Sequence, residues 1–112
     1  MQSWKAEKKT WISHPLPKIS ADAKLLENFA KNLPEQGILS IGRIPPTSIS
    51  TVKKLANDLA WPVFADIASG LRLGSEFPNR VTYYDQLLID SDFLKSHPTQ
   101  KVIHLGFAPT SK

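Results

Sequence analysis

The chain has 112 residues, of which 41% are hydrophobic, and this size fits one folded domain with a single core. It has no cysteine, which excludes disulfides and cysteine-based metal sites, and its apolar runs are far shorter than the roughly 18 residues that span a bilayer. The formal net charge of +4 is concentrated in the first 20 residues, so the remainder lacks the basic stripe of a nucleic-acid binder, and we expect a cytoplasmic protein without nucleic-acid or membrane partners.

The first 19 residues predict an extended arm or linker, because His14 and Leu16 each precede a proline and are therefore biased away from helix. A helix follows, in which Ser20 can cap the N-terminus and Asp22 suits the first turn. Apolar residues recur at helical spacing along one face of this helix, namely Leu25, Leu26, Phe29, Ala30 and Leu33. The next proline ends it.

Three short apolar segments predict strands: GILSIGRI and PVFAD have the pattern of buried strands, and KVIHLG is a third apolar strand. A helical pattern, SISTVKKLANDLA, lies between the first two and can be capped by Ser48 or Ser50. A second pattern, YYDQLLIDSDFLKSH, precedes the third strand and should break near Asp90. Strands that alternate with helices predict a Rossmann-like α/β fold with a short parallel sheet. Because three strands are few, we expect a partial domain in which one sheet edge normally has a neighbour.

Ligands of open parallel sheets gather beyond the carboxyl ends of the strands, which here carry Gly42-Arg43, Asp66 and the residues from Gly106 onwards. Asp66 can serve as an acid, a base or a hydroxyl acceptor, or can cap the next turn through an Asx-type bond. Arg43 can pair with an anion, or can be an exposed arginine at a strand end. Both alternatives are open at this point for each residue.

Arg72 lies between two glycines in SGLRLG, so the backbone can present its guanidinium to a carboxylate. The alternative is a flexible loop with a solvated arginine. His14, His97 and His104 are isolated from one another and lack ligand spacing, so we expect no metal site. The sequence contains no HExxH or GxSxG motif.

The final residues, GFAPTSK, resemble a phosphate-binding loop, but Ser111 stands where such a loop needs its second glycine. A Walker-type loop is therefore excluded. Thr110 or Ser111 can instead cap a helix that would follow, which places Lys112 in the first turn, where free amides favour an anion. The alternative is an ordinary turn from strand to helix.

These segments, in this order, resemble the middle domain of the MenD family of menaquinone-pathway synthases, the 2-succinyl-5-enolpyruvyl-6-hydroxy-3-cyclohexene-1-carboxylate synthases. The resemblance covers residues 20–112. Five pieces carry it: Gly42-Arg43, Ala60-Trp61-Pro62, the D-x-x-S-x-x-R segment from Asp66 through Ser69 to Arg72, Tyr84-Asp85, and Gly106 to Lys112. No single piece is diagnostic, but their order and spacing together are fairly specific.

The resemblance implies a DHS-like, three-layer version of the Rossmann-like fold within a thiamine-diphosphate-dependent transferase (a carboligase). Such a synthase decarboxylates 2-oxoglutarate on the cofactor and adds the carbanion to isochorismate. Its activating glutamate lies in the N-terminal domain, and its Gly-Asp-Gly…Asn motif for Mg²⁺ and diphosphate lies in the C-terminal domain. Neither motif is in this sequence, so we expect no catalytic, cofactor-binding or metal-binding residue here and no activity of the segment alone.

One functional residue follows from the resemblance by position: Lys112 corresponds to the family's lysine that reaches the isochorismate site. Arg72 matches a region that helps some members bind an anionic regulator. With Arg43, it is therefore a candidate contact for an effector or another small anion.

We therefore expect an arm over residues 1–19 and a middle domain over residues 20–112 that is cut short at its C-terminus. The implied partners are the remaining domains of the parent synthase, within a homo-oligomer. One alternative is a stand-alone Rossmann-like module that binds a small anion or nucleotide without catalysis. Another is the middle domain of a different thiamine-diphosphate enzyme, such as an acetolactate synthase, although the PTSK and SGLR segments fit that less well.

Overall fold

The computed structural model describes residues 15, 17, 19–74 and 79–110. Most of the predicted arm, residues 1–14, 16 and 18, therefore lies outside the described residues. The chain divides into two compact units, Met1–Leu33 and Pro34–Lys112. Within the described part of the chain, no helix is long and apolar enough to cross a bilayer.

In the first unit, helix α1 spans Ala23–Lys31. Its N-cap is Asp22, whose side chain accepts a hydrogen bond of 2.8 Å from the Lys24 amide. The expectation that Ser20 is the cap was wrong, because the Asp22 carboxylate satisfies a free amide of the first turn from a position two residues further on. The apolar side chains of α1 are between 45% and 66% exposed, namely Leu25, Leu26 and Phe29.

The second unit is built on three parallel strands, β1 (Ile38–Ile41), β2 (Val63–Ala65) and β3 (Val102–Leu105). Their order in the sheet is β2-β1-β3, so β1 is central. Leu39 pairs with Val63 on one side and with Ile103 on the other. The predicted α/β class, with a short parallel sheet of three strands, is confirmed.

One face of the sheet packs on helix α2 (Ile49–Leu59) and forms the core. The buried residues of this core are Leu39, Ile41, Val52, Ala56, Val63, Ala65 and Leu71. A 3₁₀ turn, Pro46–Ser48, leads into α2. Ser48 occupies the N-cap position as predicted, but its side chain makes no capping hydrogen bond, and Ser50 lies inside the helix. The turn therefore directs the chain into α2 without a hydroxyl cap.

The opposite face of the sheet receives helix α3 (Tyr84–Ile89), because Phe64 alternates to that side and stacks on Tyr84 with 5.0 Å between ring centroids. Helix α4 (Ser91–Ser96) follows directly. Asp90 separates the two helices and accepts hydrogen bonds from the amides of Asp92 and Phe93, the second and third residues of α4, at 2.9 and 3.3 Å. The predicted break near Asp90 is confirmed, and helices on both faces give three layers.

The two edges of the sheet differ. On the outer side of β2, the Val63 amide donates to the Asn79 carbonyl at 2.8 Å, and the Val81 amide donates to the Val63 carbonyl at 2.9 Å. Residues 102–105 of β3 pair with β1 on one side only, and no other described segment pairs with them. Val102 of β3 is 57% exposed. The predicted third strand is confirmed, and it is less buried than β1 and β2, because burial of a strand needs a cover that the local apolar pattern cannot supply.

The end of α2 yields a stability prediction. Ala60 caps the helix in the left-handed conformation, with φ 53°, where a Cβ atom is unfavourable and glycine is not strained. We expect Ala60→Gly to stabilise the chain by about 0.5–1 kcal/mol, measured as a higher urea midpoint of unfolding. Ala56→Gly, inside the same helix, is the matched control and should lower the midpoint. Equal effects of the two substitutions would contradict this account.

Candidate functional site

The three loops that leave the carboxyl ends of the strands meet at one edge of the sheet. The Gly42 amide donates to the Leu105 carbonyl at 2.9 Å, and the Asp66 amide donates to the Ile41 carbonyl at 2.8 Å. The structure thus brings together the three loop starts that the sequence placed at this edge.

The strand order places the topological switch point of the sheet between β1 and β3, where doubly wound folds usually bind a ligand. Here the exit loops of β1 and β3 approach each other closely. A Cβ atom on Gly42 would lie 1.7 Å from the Phe107 carbonyl oxygen, and a Cβ atom on Gly106 would lie 2.5 Å from the Arg43 carbonyl oxygen. The two exit loops therefore pack backbone to backbone at this point.

Asp66 connects two of the loops. Its side chain is buried, with the residue 1% exposed. One carboxylate oxygen accepts a hydrogen bond of 3.1 Å from the Ala68 amide and caps a 3₁₀ turn, Ile67–Ser69. The other oxygen accepts from the Thr110 hydroxyl at 2.8 Å and from the Thr110 amide at 3.3 Å. The predicted Asx-type cap is confirmed, and the hydroxyl that Asp66 accepts belongs to Thr110.

These hydrogen bonds decide the protonation of Asp66. Burial by itself raises the pKa of the Asp66 carboxyl, but hydrogen bonds from the Thr110 hydroxyl and three backbone amides outweigh it and hold that pKa below its usual value. A carboxylate whose lone pairs are occupied and whose pKa is low is a poor proton acceptor for a substrate. The geometry therefore favours a structural anchor over an acid or base.

Ser69 explains the serine of the D-x-x-S-x-x-R segment. It is 2% exposed, and its hydroxyl donates to the Asp66 carbonyl at 2.6 Å while accepting from the Leu71 amide at 3.0 Å. Leu71 then enters the core, where it is 4% exposed. Arg72 therefore follows directly after a buried residue, Leu71, which fixes the position of its backbone.

Arg72 is engaged within the chain. Its guanidinium donates to the Thr82 carbonyl and to the Asp85 carboxylate, both at 3.3 Å, and lies 5.6 Å from the centroid of the Tyr84 ring. An effector anion would have to share this guanidinium with Asp85. The anion-binding role of Arg72 therefore stays a prediction. The structure adds an ion pair between Arg72 and Asp85, which are not neighbours in the sequence.

Arg80 is a structural residue that the sequence did not single out. Its guanidinium donates to the Leu71 carbonyl at 3.3 Å and to the Gly74 carbonyl at 2.5 Å, so it ties the SGLRLG loop to the outer edge of β2. Its Nε atom is buried without a hydrogen-bond partner among the described residues. Sequence reading missed it because the NR dipeptide carries no periodic signal.

Arg43 is exposed at the end of β1, and its guanidinium carbon lies 4.6 Å from the centroid of the Phe107 ring. No acidic side chain of the described residues pairs with it. An aromatic face holds the guanidinium without neutralising it, so Arg43 is available to an anion at this edge. Its role there stays a prediction.

Lys112, the predicted substrate contact, lies outside the described residues, as does Ser111. The last described residue is Thr110, which is hydrogen-bonded to Asp66. The structure thus defines the point from which the chain continues towards Lys112.

Two of the three histidines are described, and each has local partners. The His104 ring lies 3.0 Å from the Ser40 hydroxyl through Nδ1 and 3.0 Å from the Phe107 carbonyl through Nε2. Because a carbonyl only accepts, Nε2 donates. His97 stacks on a phenylalanine of α4 with 4.5 Å between centroids, and His14 lies outside the described residues. Across residues 19–74 and 79–110, no three His, Asp or Glu side chains cluster as metal ligands would.

A groove of about 610 Å³ lies at the opposite end of the sheet, beside the residues that precede the strands. Its walls include Ile38, Trp61, Phe64, Leu87 and Phe93. The groove is lined by apolar residues and lies at the other end of the strands from Arg43. It is therefore separate from the candidate site at the carboxyl ends of the strands.

Comparison with known proteins gives one family. The chain matches the family described as "Middle domain of thiamine pyrophosphate" over residues 1–112. No solved structure shows significant similarity to it.

The curated relatives carry one name, 2-succinyl-5-enolpyruvyl-6-hydroxy-3-cyclohexene-1-carboxylate synthase. The protein of Salinibacter ruber is 28% identical over 116 residues, covering 100% of this chain and 20% of its own length. That of Chlorobium luteolum is 29% identical over 109 residues, covering 95% and 18%. That of Chloroflexus aurantiacus is 35% identical over 69 residues, covering 61% and 12%. The chain therefore spans about one fifth or less of these relatives, and the resemblance seen in the sequence is confirmed.

Proposed function

The chain belongs to the family of thiamine pyrophosphate middle domains, and from that premise we propose that it is the central segment of a 2-succinyl-5-enolpyruvyl-6-hydroxy-3-cyclohexene-1-carboxylate synthase. The observation that carries the proposal is the match over the full chain to a synthase of that name. In this proposal, the parent enzyme decarboxylates 2-oxoglutarate and joins the product to isochorismate in menaquinone biosynthesis. It would act in the cytoplasm.

We propose that thiamine diphosphate and Mg²⁺ bind to other domains of the parent, which would supply the carbanion chemistry. Two observations support this: no cluster of three potential metal ligands is present among the described residues, and the exit loops of β1 and β3 meet backbone to backbone at the switch point. The segment contributes a sheet, packing surfaces and positively charged residues at the carboxyl ends of the strands.

The partners in this proposal are the remaining domains of the parent and further copies of it. The outer side of β3 supports this role, because the backbone groups of Val102 and His104 face away from β1 by strand alternation. An unpaired edge of this kind favours pairing with another segment.

The rival function, a stand-alone nucleotide-binding module, requires an open crevice at the switch point between β1 and β3. The close backbone contact between Gly42 and Phe107 narrows that crevice, which supports the synthase segment. The first test is an activity assay of the full-length parent with 2-oxoglutarate, isochorismate and thiamine diphosphate. Absence of product would overturn the proposed function.

Lys112 provides the residue-level prediction. We propose that it pairs with a carboxylate of isochorismate, so Lys112→Ala in the parent should raise KM for isochorismate about tenfold or more, which is the loss expected for one charge-assisted hydrogen bond. Steady-state kinetics with varied isochorismate measure this. Lys95→Ala is the matched control, because Lys95 is a lysine of α4 whose side chain is 79% exposed. An unchanged KM in Lys112→Ala would reduce that residue to a loop lysine.

A further inference from the structure

We infer that Asp66 is the positioning residue of the loop that follows β3: its buried carboxylate anchors Thr110 and thereby sets the point from which Lys112 extends. The inference deepens the proposed function, and it rests on that function only for the claim that Lys112 contacts substrate. The anchor itself is a property of this chain and can be tested on the chain alone.

The loop that follows β3 has little else to hold it. Residues 106–110 are all exposed, so apolar burial contributes little to their order. Its first part is fixed by two hydrogen bonds, from the Phe107 amide to the Arg43 carbonyl at 3.1 Å and between His104 and the Phe107 carbonyl at 3.0 Å. Its last described residue, Thr110, is fixed by Asp66.

Two features suit Asp66 to this role. Its backbone belongs to the end of β2, where its own amide bonds to the Ile41 carbonyl of the central strand at 2.8 Å. Its carboxylate also caps the turn that leads to Arg72. One buried side chain therefore sets the relative positions of two loops, those that carry Arg72 and Lys112, across the width of the sheet. A charged acceptor makes stronger hydrogen bonds than a neutral one, which suits the exposed end of this loop.

The first experiment uses the chain as it is, with backbone amide exchange and heteronuclear relaxation measured by NMR. Thr110→Val keeps the side-chain shape but removes the hydroxyl donor. We expect amide exchange at position 110 to speed up about tenfold and the mobility of residues 111 and 112 to rise, while the amides of β1 stay protected. The pKa of the Asp66 carboxyl should rise, because the Thr110 hydroxyl, whose hydrogen bond lowers it most, is lost.

Two further variants make this result specific. Thr110→Ser restores a hydroxyl and should return exchange, mobility and the Asp66 pKa towards those of the original chain. Thr51→Val, at an exposed position of α2, is the matched control and should change none of them at the loop. Equal protection of residue 110 in Thr110→Val and the original chain, or failure of Thr110→Ser to restore it, would overturn the inference. Asp66→Asn should show the same loop changes as Thr110→Val, and Thr110→Val alone decides if that variant does not fold.

The second experiment uses the parent synthase. If the anchor positions Lys112, Thr110→Val should raise KM for isochorismate several-fold with a smaller change in kcat, and Thr110→Ser should restore it. Combining Thr110→Val with Lys112→Ala should add little to Lys112→Ala, because both changes act through one contact. Full additivity of the two effects would overturn the link to Lys112. Failure of the proposed function would instead appear as a parent without synthase activity, with the NMR result on the chain unchanged.

Discussion

Replacing Gly42 with alanine is expected to destabilise the chain by about 3 kcal/mol or more. The added Cβ atom would lie 1.7 Å from the oxygen and 2.9 Å from the carbon of the Phe107 carbonyl. Because both atoms belong to backbone, no side-chain rotation relieves the overlap, and the exit loops of β1 and β3 must separate. Urea unfolding followed by circular dichroism measures the loss as a lower midpoint.

Gly70→Ala is the matched control for this substitution. Gly70 adopts a positive φ of 73°, and a Cβ atom there would meet nothing within 4 Å. Its replacement should therefore cost only the conformational penalty of about 1 kcal/mol. If Gly42→Ala were no more destabilising than Gly70→Ala, the close approach of the two exit loops would be wrong, and with it the support that this contact gives to the synthase segment.

Replacing Trp61 with alanine is expected to cost about 3–5 kcal/mol, the usual loss for a large aromatic side chain taken from a core. Trp61 is 4% exposed, and its indole N–H donates to the Glu35 carbonyl at 3.1 Å. The ring also covers Gly37, where an added Cβ atom would lie 2.5 Å from it. Trp61 therefore closes the start of β1 by packing and by one hydrogen bond. The free energy of unfolding from urea titration measures the effect.

Trp61→Phe separates the two contributions. It keeps an aromatic ring but removes the N–H donor, so it should cost about 1–2 kcal/mol, well below the loss from alanine. Equal losses in the two variants would contradict a packing role and assign the whole effect to the hydrogen bond. The pair also explains why an aromatic residue stands between Ala60 and Pro62, where α2 ends and β2 begins.

Much of the local structure was predictable from sequence because its causes lie within a few residues. Alternating helical and strand patterns indicated the order of the elements, and Asp90 marked the break between α3 and α4, where it does cap the second helix. Residues were harder to predict where two local solutions compete. Ser20 was a plausible cap for α1, but Asp22 makes the hydrogen bond, because both are good caps and the sequence does not rank them.

The candidate site also has one part that could be predicted from sequence and one part that could not. That Arg43, Asp66 and Gly106 share one edge of the sheet follows from the carboxyl ends of parallel strands, which sequence patterns locate. What each residue does there depends on its partners. Arg72 meets Asp85 across 13 residues, and Asp66 meets Thr110 across 44 residues, so no local pattern contains either contact.

The sequence by itself therefore determined the α/β class, the parallel strands and the family resemblance, since these follow from short-range periodicity and from the order of motifs. Only the tertiary structure decided that β1 is central, that the Gly42 and Phe107 backbones meet at the switch point and that Asp66 anchors the loop leading to Lys112. The physical reason is that strand order and backbone contacts depend on which distant segments fill the same space. Packing and hydrogen bonding across the sheet select among arrangements that the local pattern allows equally.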